Sequence, residues 1–313
     1  VLGATGRGEN MEVGTYVEAA ISSELSANII DLCPVGALTS KPYAFEARPW
    51  ELSKTESIDV MDAVGSNIRV DSRGREVKRI LPMLNEDVNE EWISDKTRYA
   101  CDGLAKQRLD KPYVKKGGKL HSAAWHEALD VIGDKIRGLD GRKIAAIAGD
   151  QCDAESMMAL KGLMDGLGSP NIDCRQDGAK LGGGSRSGYV FNTTIAGVED
   201  ADVCLIIGSN PRLEAPIINA RLRKRAGAGG FRVGIVGENV DLTYRTEHLG
   251  AGPDTLKEIA DGTHPFCDVL RSAERPMLIL GQGALARADG TAVIGAARLI
   301  ADNTGMVSAD WNG

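Results

Sequence analysis

The sequence predicts an α/β fold: a doubly wound, mostly parallel sheet over residues 106–313, preceded by a small β-rich segment. Short runs of continuous apolar residues alternate with longer stretches of helical periodicity, and the longest β-like run is Val203-Cys204-Leu205-Ile206-Ile207. Strands that are apolar at every position are buried on both faces, as in a parallel sheet covered by helices. The chain also holds 38 glycines and only 4% aromatic residues, a composition that suits close helix-on-sheet packing with tight strand-end turns.

The elements follow in order. Tyr16, Val17, Ile21, Leu25, Ile29 and Ile30 recur near helical spacing and predict a helix leading to Cys33. Ile68–Val70 and Val77–Leu81 read as strands joined by a hairpin turn at Ser72-Arg73-Gly74. From about residue 105 the pattern turns to strand and helix in alternation. Lys143–Ala148 reads as a strand. Asp153 caps a helix carrying Met157, Leu160, Met164 and Leu167. Asn171–Cys174 is a short strand and Asp202–Gly208 a buried one. Pro216 suits the first turn of a helix ending at Gly227. Phe231–Gly237 and Pro276–Gly281 are strands, and Asp254–Asp261 and Gly290–Thr304 are helices. Right-handed crossovers between such strands give a doubly wound domain.

Charge and composition exclude several classes. Lys and Arg number 37 against 44 Asp and Glu, a net charge of −7, which argues against nonspecific polyanion binding and so against nucleic acid as a partner. No apolar run approaches the roughly 18 residues of a membrane span, and residues 1–10 lack the apolar core of a signal peptide. The chain opens on Val1 and is read as a section of a longer protein. The histidines at 121, 126, 248 and 264 make no ligand pair with one another or with a cysteine, which leaves zinc and nucleophilic chemistry unsupported.

The six cysteines stand at 33, 101, 152, 174, 204 and 267, so no C-x-x-C pair and no complete Cys-based metal motif lies inside the chain. Cys204 and Cys101 read as packing residues. Cys33 differs because Pro34 follows it. Proline ends the preceding helix and holds the thiolate at a turn, and Cys-Pro is how the last ligand of a cubane iron–sulfur site commonly reads. On periodicity alone Cys33 also reads as a helix-end core residue, and a lone Cys-Pro is a weak signal.

The longer blocks are more specific. Glu24–Leu52 (ELSANIIDLCPVGALTSKPYAFEARPWEL) closely resembles the large iron–sulfur subunits of respiratory complex I. The similarity continues through Thr55–Val70, Asn89–Lys96, Asn192–Glu199 and Asp241–Gly250. The resemblance implies that Cys33 is the fourth ligand of a [4Fe-4S] cluster whose other three ligands precede Val1, with further [2Fe-2S] and [4Fe-4S] clusters also in the preceding part. It implies residues 1–47 as the end of a cluster domain, 48–105 as a small domain stripped of cluster cysteines, and 106–313 as part of a molybdopterin-oxidoreductase-like α/β domain that holds no molybdopterin. The implied role is electron transfer from NADH and flavin toward quinone, in company with other peripheral-arm subunits, including the flavin-bearing one. The implied place is the cytoplasmic side of a bacterial inner membrane or the matrix side of the mitochondrial one. A molybdopterin-dependent oxidoreductase and a non-catalytic scaffold are the competing readings.

Related chains carry C-x-x-C-x-x-x-C at the start of the second domain. Here Asp59, Asp62 and Ser66 stand in that frame, with Ser94 near the fourth position, and hard oxygen ligands hold an iron–sulfur cube poorly, so no cluster is expected there. Gly281-Gln282-Gly283-Ala284-Leu285-Ala286 fits G-x-G-x-x-A, but Asp302 falls in the same helical segment, where it fails the ribose contact. Gly182–Gly188 lacks the Lys of a P-loop and reads as a loop. Gly208-Ser209-Asn210-Pro211-Arg212 follows a buried strand and resembles a pterin-contacting Gly-x-Asn-Pro turn. Arg221, Arg223, Lys224 and Arg225 then read as a phosphate site or a solvated or subunit-facing basic surface.

Overall fold

A computed structural model describes residues 2–15, 21–174, 177–182 and 188–313. The chain divides into two compact units, residues 1–104 with 181–313, and residues 105–180.

The first unit opens on an exposed antiparallel hairpin, β1 (Leu2–Thr5) and β2 (Glu12–Thr15). The helix predicted to lead to Cys33 is much shorter than its periodicity suggested: α1 spans only Asn28–Leu32. Tyr16 and Val17 lie outside the described residues, and Ile21–Ser23 take no regular form. Serine explains part of this, because the Ser23 hydroxyl accepts the Leu25 N–H at 3.2 Å and offers the backbone an alternative to the helix.

A three-stranded antiparallel sheet follows, in the order β3 (Ser53–Ile58), β4 (Asn67–Arg73), β5 (Glu76–Pro82). The predicted hairpin is present with longer strands, and Gly74 takes the positive φ (62°) that the tight turn requires. Ile68, Ile80 and Ile93 form its core, with Cys101 packed against them. The helix α2 (Asp95–Tyr99) starts at Ser94.

The second unit holds a hairpin, β6 (Tyr113–Lys116) with β7 (Lys119–Ser122), and the helix α3 (Trp125–Ile136). Then come β8 (Ala146–Ile147), α4 (Ala154–Gly166) and β9 (Ile172–Asp173). Asp153 caps α4 as predicted, its carboxylate accepting the Ser156 N–H at 2.6 Å. The strands expected at 143–148 and 171–174 shrink to two residues each and form a parallel sheet of their own, not part of one large sheet. Burial explains the difference: Ile147 is 67% exposed and β9 is exposed throughout, so neither has the two covered faces of a central strand.

The first unit resumes with β10 (Val203–Ile207), α5 (Pro211–Glu214), α6 (Pro216–Gly227), β11 (Arg232–Val236) and β12 (Glu247–Gly250). It ends with α7 (Pro253–Ala260), α8 (Phe266–Ser272), β13 (Pro276–Leu280), α9 (Gln282–Leu285) and α10 (Gly290–Thr304). The four strands pair in parallel in the order β12-β11-β10-β13. The apolar run of β10 serves both faces by strand alternation. Val203, Leu205 and Ile207 pack among Leu256, Ile259, Phe266, Leu270 and Ile300 of α7, α8 and α10. Cys204 and Ile206 pack on the other face among Val198, Ile218, Leu222 and Leu242. Asp302 lies inside α10, as the failed dinucleotide fingerprint anticipated.

Candidate functional site

Cys33 ends α1. Its N–H donates to Ile29 O at 3.1 Å, and its backbone is extended (φ −79°, ψ 108°), the conformation a following proline favours. Gly36 then turns with φ 69°. The backbone of Val35 and Leu38, with smaller contributions from Ala37 and Gly36, holds the thiol pKa below its ordinary value against an opposing effect of burial. Burial pushes the Cys101, Cys204 and Cys267 thiols the other way. Cys33 is half-buried, between the exposed side chains of Leu32 and Val35. A thiol of lowered pKa at a turn is the state a cluster ligand needs, since thiolate binds iron.

The second frame converges in space, as a network of oxygens. Thr97 donates its hydroxyl to Asp59 Oδ2 at 2.6 Å, while Ser94 Oγ accepts the Thr97 N–H at 3.1 Å and lies 2.9 Å from the Thr97 hydroxyl. Asp59 N donates to Ser66 O at 2.9 Å. Asp62 Oδ1 accepts the N–H groups of Val64 and Gly65 at 3.0 and 2.8 Å, and Asp62 Oδ2 accepts the Ser66 hydroxyl. Asp59, Ser66 and Ser94 are buried. Every carboxylate in the frame already has donors, so the network satisfies itself. Among the described residues, no group of three or more His, Cys, Asp or Glu is placed to hold a metal ion. Thr97, three residues into α2 from its cap, went unnoticed in the sequence; its spacing from Ser94 was the available signal.

The third place of interest is the C-terminal edge of the parallel sheet. The connection reverses between β10 and β13, and open sheets bind ligands in the crevice at such a point. Here the crevice is shut by the chain itself. A Cβ on Gly281 would lie 2.1 Å from Gly208 O, so the turns after β10 and β13 touch backbone to backbone. Gly208 needs its positive φ of 59° to make this approach. Two donors of the turn are taken, since Glu214 accepts the Asn210 N–H at 2.6 Å and the Ser209 hydroxyl at 3.2 Å, while the buried Asn210 Oδ1 has no partner. Gly281→Ala should force the turns apart and cost about 1–3 kcal/mol, the usual range for overpacking; an unfolding midpoint equal to that of the unaltered protein would count against this closure.

The basic residues of α6 divide: Arg221 is buried in the fold, while Arg223 and Lys224 stay exposed, and all four have acceptors within the chain. Arg221 is buried and bonds Glu199 Oε1 at 2.6 Å and two carbonyls. Lys224 pairs with Glu90 and Glu199, Arg225 donates to Ala201 O at 2.6 Å, and Arg223 to Thr243 O at 3.1 Å. Packing brought acceptors to each cation. Of Gly182–Gly188, residues 183–187 lie outside the described residues.

Residues 1–39 match the family model described as NADH-quinone oxidoreductase subunit 3, ferredoxin-like domain. Residues 52–102 match NADH-ubiquinone oxidoreductase NDSU1/NuoG-like, 4Fe-4S domain, and residues 108–313 match Molybdopterin oxidoreductase. The chain is 52% identical over 313 residues to a mitochondrial NADH dehydrogenase [ubiquinone] iron-sulfur protein 1 of Solanum tuberosum, covering 100% of the chain and 42% of that protein. It is 51% identical over 312 residues to the NADH-quinone oxidoreductase G subunit of Rickettsia felis and 49% identical to that of Rickettsia bellii, covering 46% of each. The chain thus spans less than half the length of these relatives. Two cofactors suggested by the family descriptions do not fit the residues present. The 52–102 region offers hydrogen-bonded oxygens where a [4Fe-4S] cluster needs thiolates, and the strand-end turns that would take a pterin are closed on each other backbone to backbone. The turn at Cys33 does fit a cluster thiolate. Similar over its whole length to these large iron–sulfur subunits of NADH-quinone oxidoreductase, and matched across residues 108–313 by one family model, the chain belongs to the molybdopterin oxidoreductase family.

Proposed function

We propose that this chain is part of an iron–sulfur electron-transfer subunit of NADH:quinone oxidoreductase, with Cys33 as one ligand of a [4Fe-4S] cluster. The observation that carries the reading is the turn at Cys33, where a half-buried thiol stands at the end of α1 on extended backbone before Pro34 and the chain turns at Gly36. The other three thiolates would come from chain preceding Val1, and further [2Fe-2S] and [4Fe-4S] centres belong to that same part. A bound cluster supplies one-electron storage. The residues of this chain supply its position and partial exclusion of water, which bear on potential.

The layout that goes with this reading is residues 1–47 as the end of a cluster domain, 48–105 as a domain whose cluster frame has become a hydrogen-bonded network, and 106–313 as a scaffold of molybdopterin-oxidoreductase type. The partners are the flavin-bearing and cluster-bearing subunits of the peripheral arm, on the cytoplasmic or matrix face of the membrane. Among the described residues no helix is long and apolar enough to cross a membrane. In the full-length protein assembled with its partners, Cys33→Ala should remove one [4Fe-4S] signature from the electron paramagnetic resonance spectrum and lower bound iron. If every cluster signature survives that substitution at full intensity, the assignment is wrong.

A further inference from the structure

Between α1 and α6 the first unit carries an open trough of about 700 Å³. Leu25, Ile29 and Leu32 line it from α1 and the turn before it, Pro216 and Ala220 from α6, and Trp92 from the loop after β5. Leu25, Ile29 and Trp92 are only partly buried and Leu32 is 60% exposed, so apolar surface here faces water. Most polar side chains in the lining are already engaged. Asn28 and Asn219 are buried and donate to Leu25 O at 2.9 Å and Leu242 O at 3.3 Å. Arg212 pairs with Glu24 at 2.8 Å, and Lys224 pairs with Glu90. Arg223 differs. It is exposed, it donates to the Thr243 carbonyl at 3.1 Å, and among the described residues no carboxylate pairs with it. Three cations thus line the trough against two carboxylates, a local charge of 3 − 2 = +1 on a chain whose net charge is −7.

Resting on the reading of this chain as part of a subunit of a larger assembly, we propose that the trough is the docking site for a segment of a neighbouring subunit. That segment sets apolar side chains against Leu32, Trp92 and Ala220 and an Asp or Glu against Arg223. The charge selects the occupant. A purely apolar segment would strip water from the Arg223 guanidinium without replacing it, and a basic one would be repelled. The openness selects a polypeptide. Small-molecule pockets bury roughly 70–90% of their ligand, which a trough with a wall as exposed as Leu32 does not do. A segment laid across it from outside covers the apolar wall and leaves the paired charges at the edge.

The test uses the full-length protein in its purified assembly. A photoreactive benzoylphenylalanine in place of Ala220 should cross-link to a segment of another subunit, and mass spectrometry should find an Asp or Glu in that segment. Arg223→Glu should weaken retention of the subunit in the assembly about tenfold, because like charges then meet, and Arg223→Lys should preserve it. Changing the carboxylate of the cross-linked segment to Lys should restore retention of Arg223→Glu. Cross-links confined to the same polypeptide mean that the chain fills its own trough, and they overturn the proposal. So does the absence of any cross-link, or retention of Arg223→Glu equal to that of the unaltered protein. The cross-link leaves Arg223 in place, so it decides the matter whatever Arg223→Glu does to folding. A full-length protein that enters no assembly sinks the subunit reading instead, so the two failures are told apart.

Discussion

Asp71→Ala should destabilise the protein by about 3–5 kcal/mol, the range seen when one partner of a buried ion pair is removed. The Asp71 side chain is fully buried. Arg69, two residues back on the same face of β4, donates to it at 2.8 and 3.1 Å, and Arg79, directly opposite on β5, donates at 2.8 Å. Arg79 also lies over the Tyr43 ring at 4.5 Å from its centre, which ties the strand to the preceding loop. Without the carboxylate, two part-buried guanidinium groups face each other unpaired. Burial alone would raise the Asp71 pKa, but hydrogen bonds from Arg69 and Arg79 outweigh it and leave it below the ordinary 3.8. Because the folded carboxyl titrates lower than the unfolded one, its contribution is complete above 3.8 and disappears as pH falls through the folded value. Urea unfolding should show the full loss for Asp71→Ala at pH 7, with the gap to the unaltered protein closing only in strong acid. A loss under about 1 kcal/mol, the scale of an exposed pair, would mean that burial adds nothing here.

That buried pair shows where the sequence was legible and where it was not. Features written in consecutive residues were readable: the all-apolar run of β10, Pro216 opening α6, Asp153 capping α4, and Pro34 fixing the turn after Cys33. Arg69 and Arg79 read only as charged residues in strands and Asp71 fell just past the predicted Ile68–Val70, because their meaning depends on which face of β4 is covered. The same holds for α6, where four cations in five positions gave no sign that Arg221 alone is buried, against Glu199. The erased cluster frame was recognisable by its spacing, but Thr97, which joins Asp59 to Ser94, belongs to a different element from Asp59. The closure of Gly281 onto Gly208 joins turns more than seventy residues apart in the chain, beyond the reach of any local pattern.

Arg221→Met is the second large effect expected, again about 3–5 kcal/mol, and its reason is connection as much as charge. Arg221 is 4% exposed on α6. It pairs with Glu199 at 2.6 Å and donates to the carbonyls of Glu86 and Val88 at 2.5 and 3.1 Å. Those carbonyls belong to the loop after β5, so this one side chain fastens the antiparallel sheet's loop to a helix of the parallel sheet. Methionine fills similar volume but takes the donor from two part-buried carbonyls and the partner from Glu199, and an unmet buried acceptor costs up to about 1–3 kcal/mol. Glu199 loses its shorter partner as well. Burial would raise its pKa, but bonds from Lys224 and Arg221 bring it down, and only the Lys224 bond would remain. Lys224 makes the contrast. It touches the same Glu199 and Glu90, yet it is 53% exposed, so Lys224→Met should cost no more than about 1 kcal/mol. If the two substitutions cost the same in chemical denaturation, charge alone accounts for the site. If Arg221→Met costs several-fold more and speeds amide exchange in residues 85–93 while β10 stays protected, the guanidinium acts as the fastener between the two sheets.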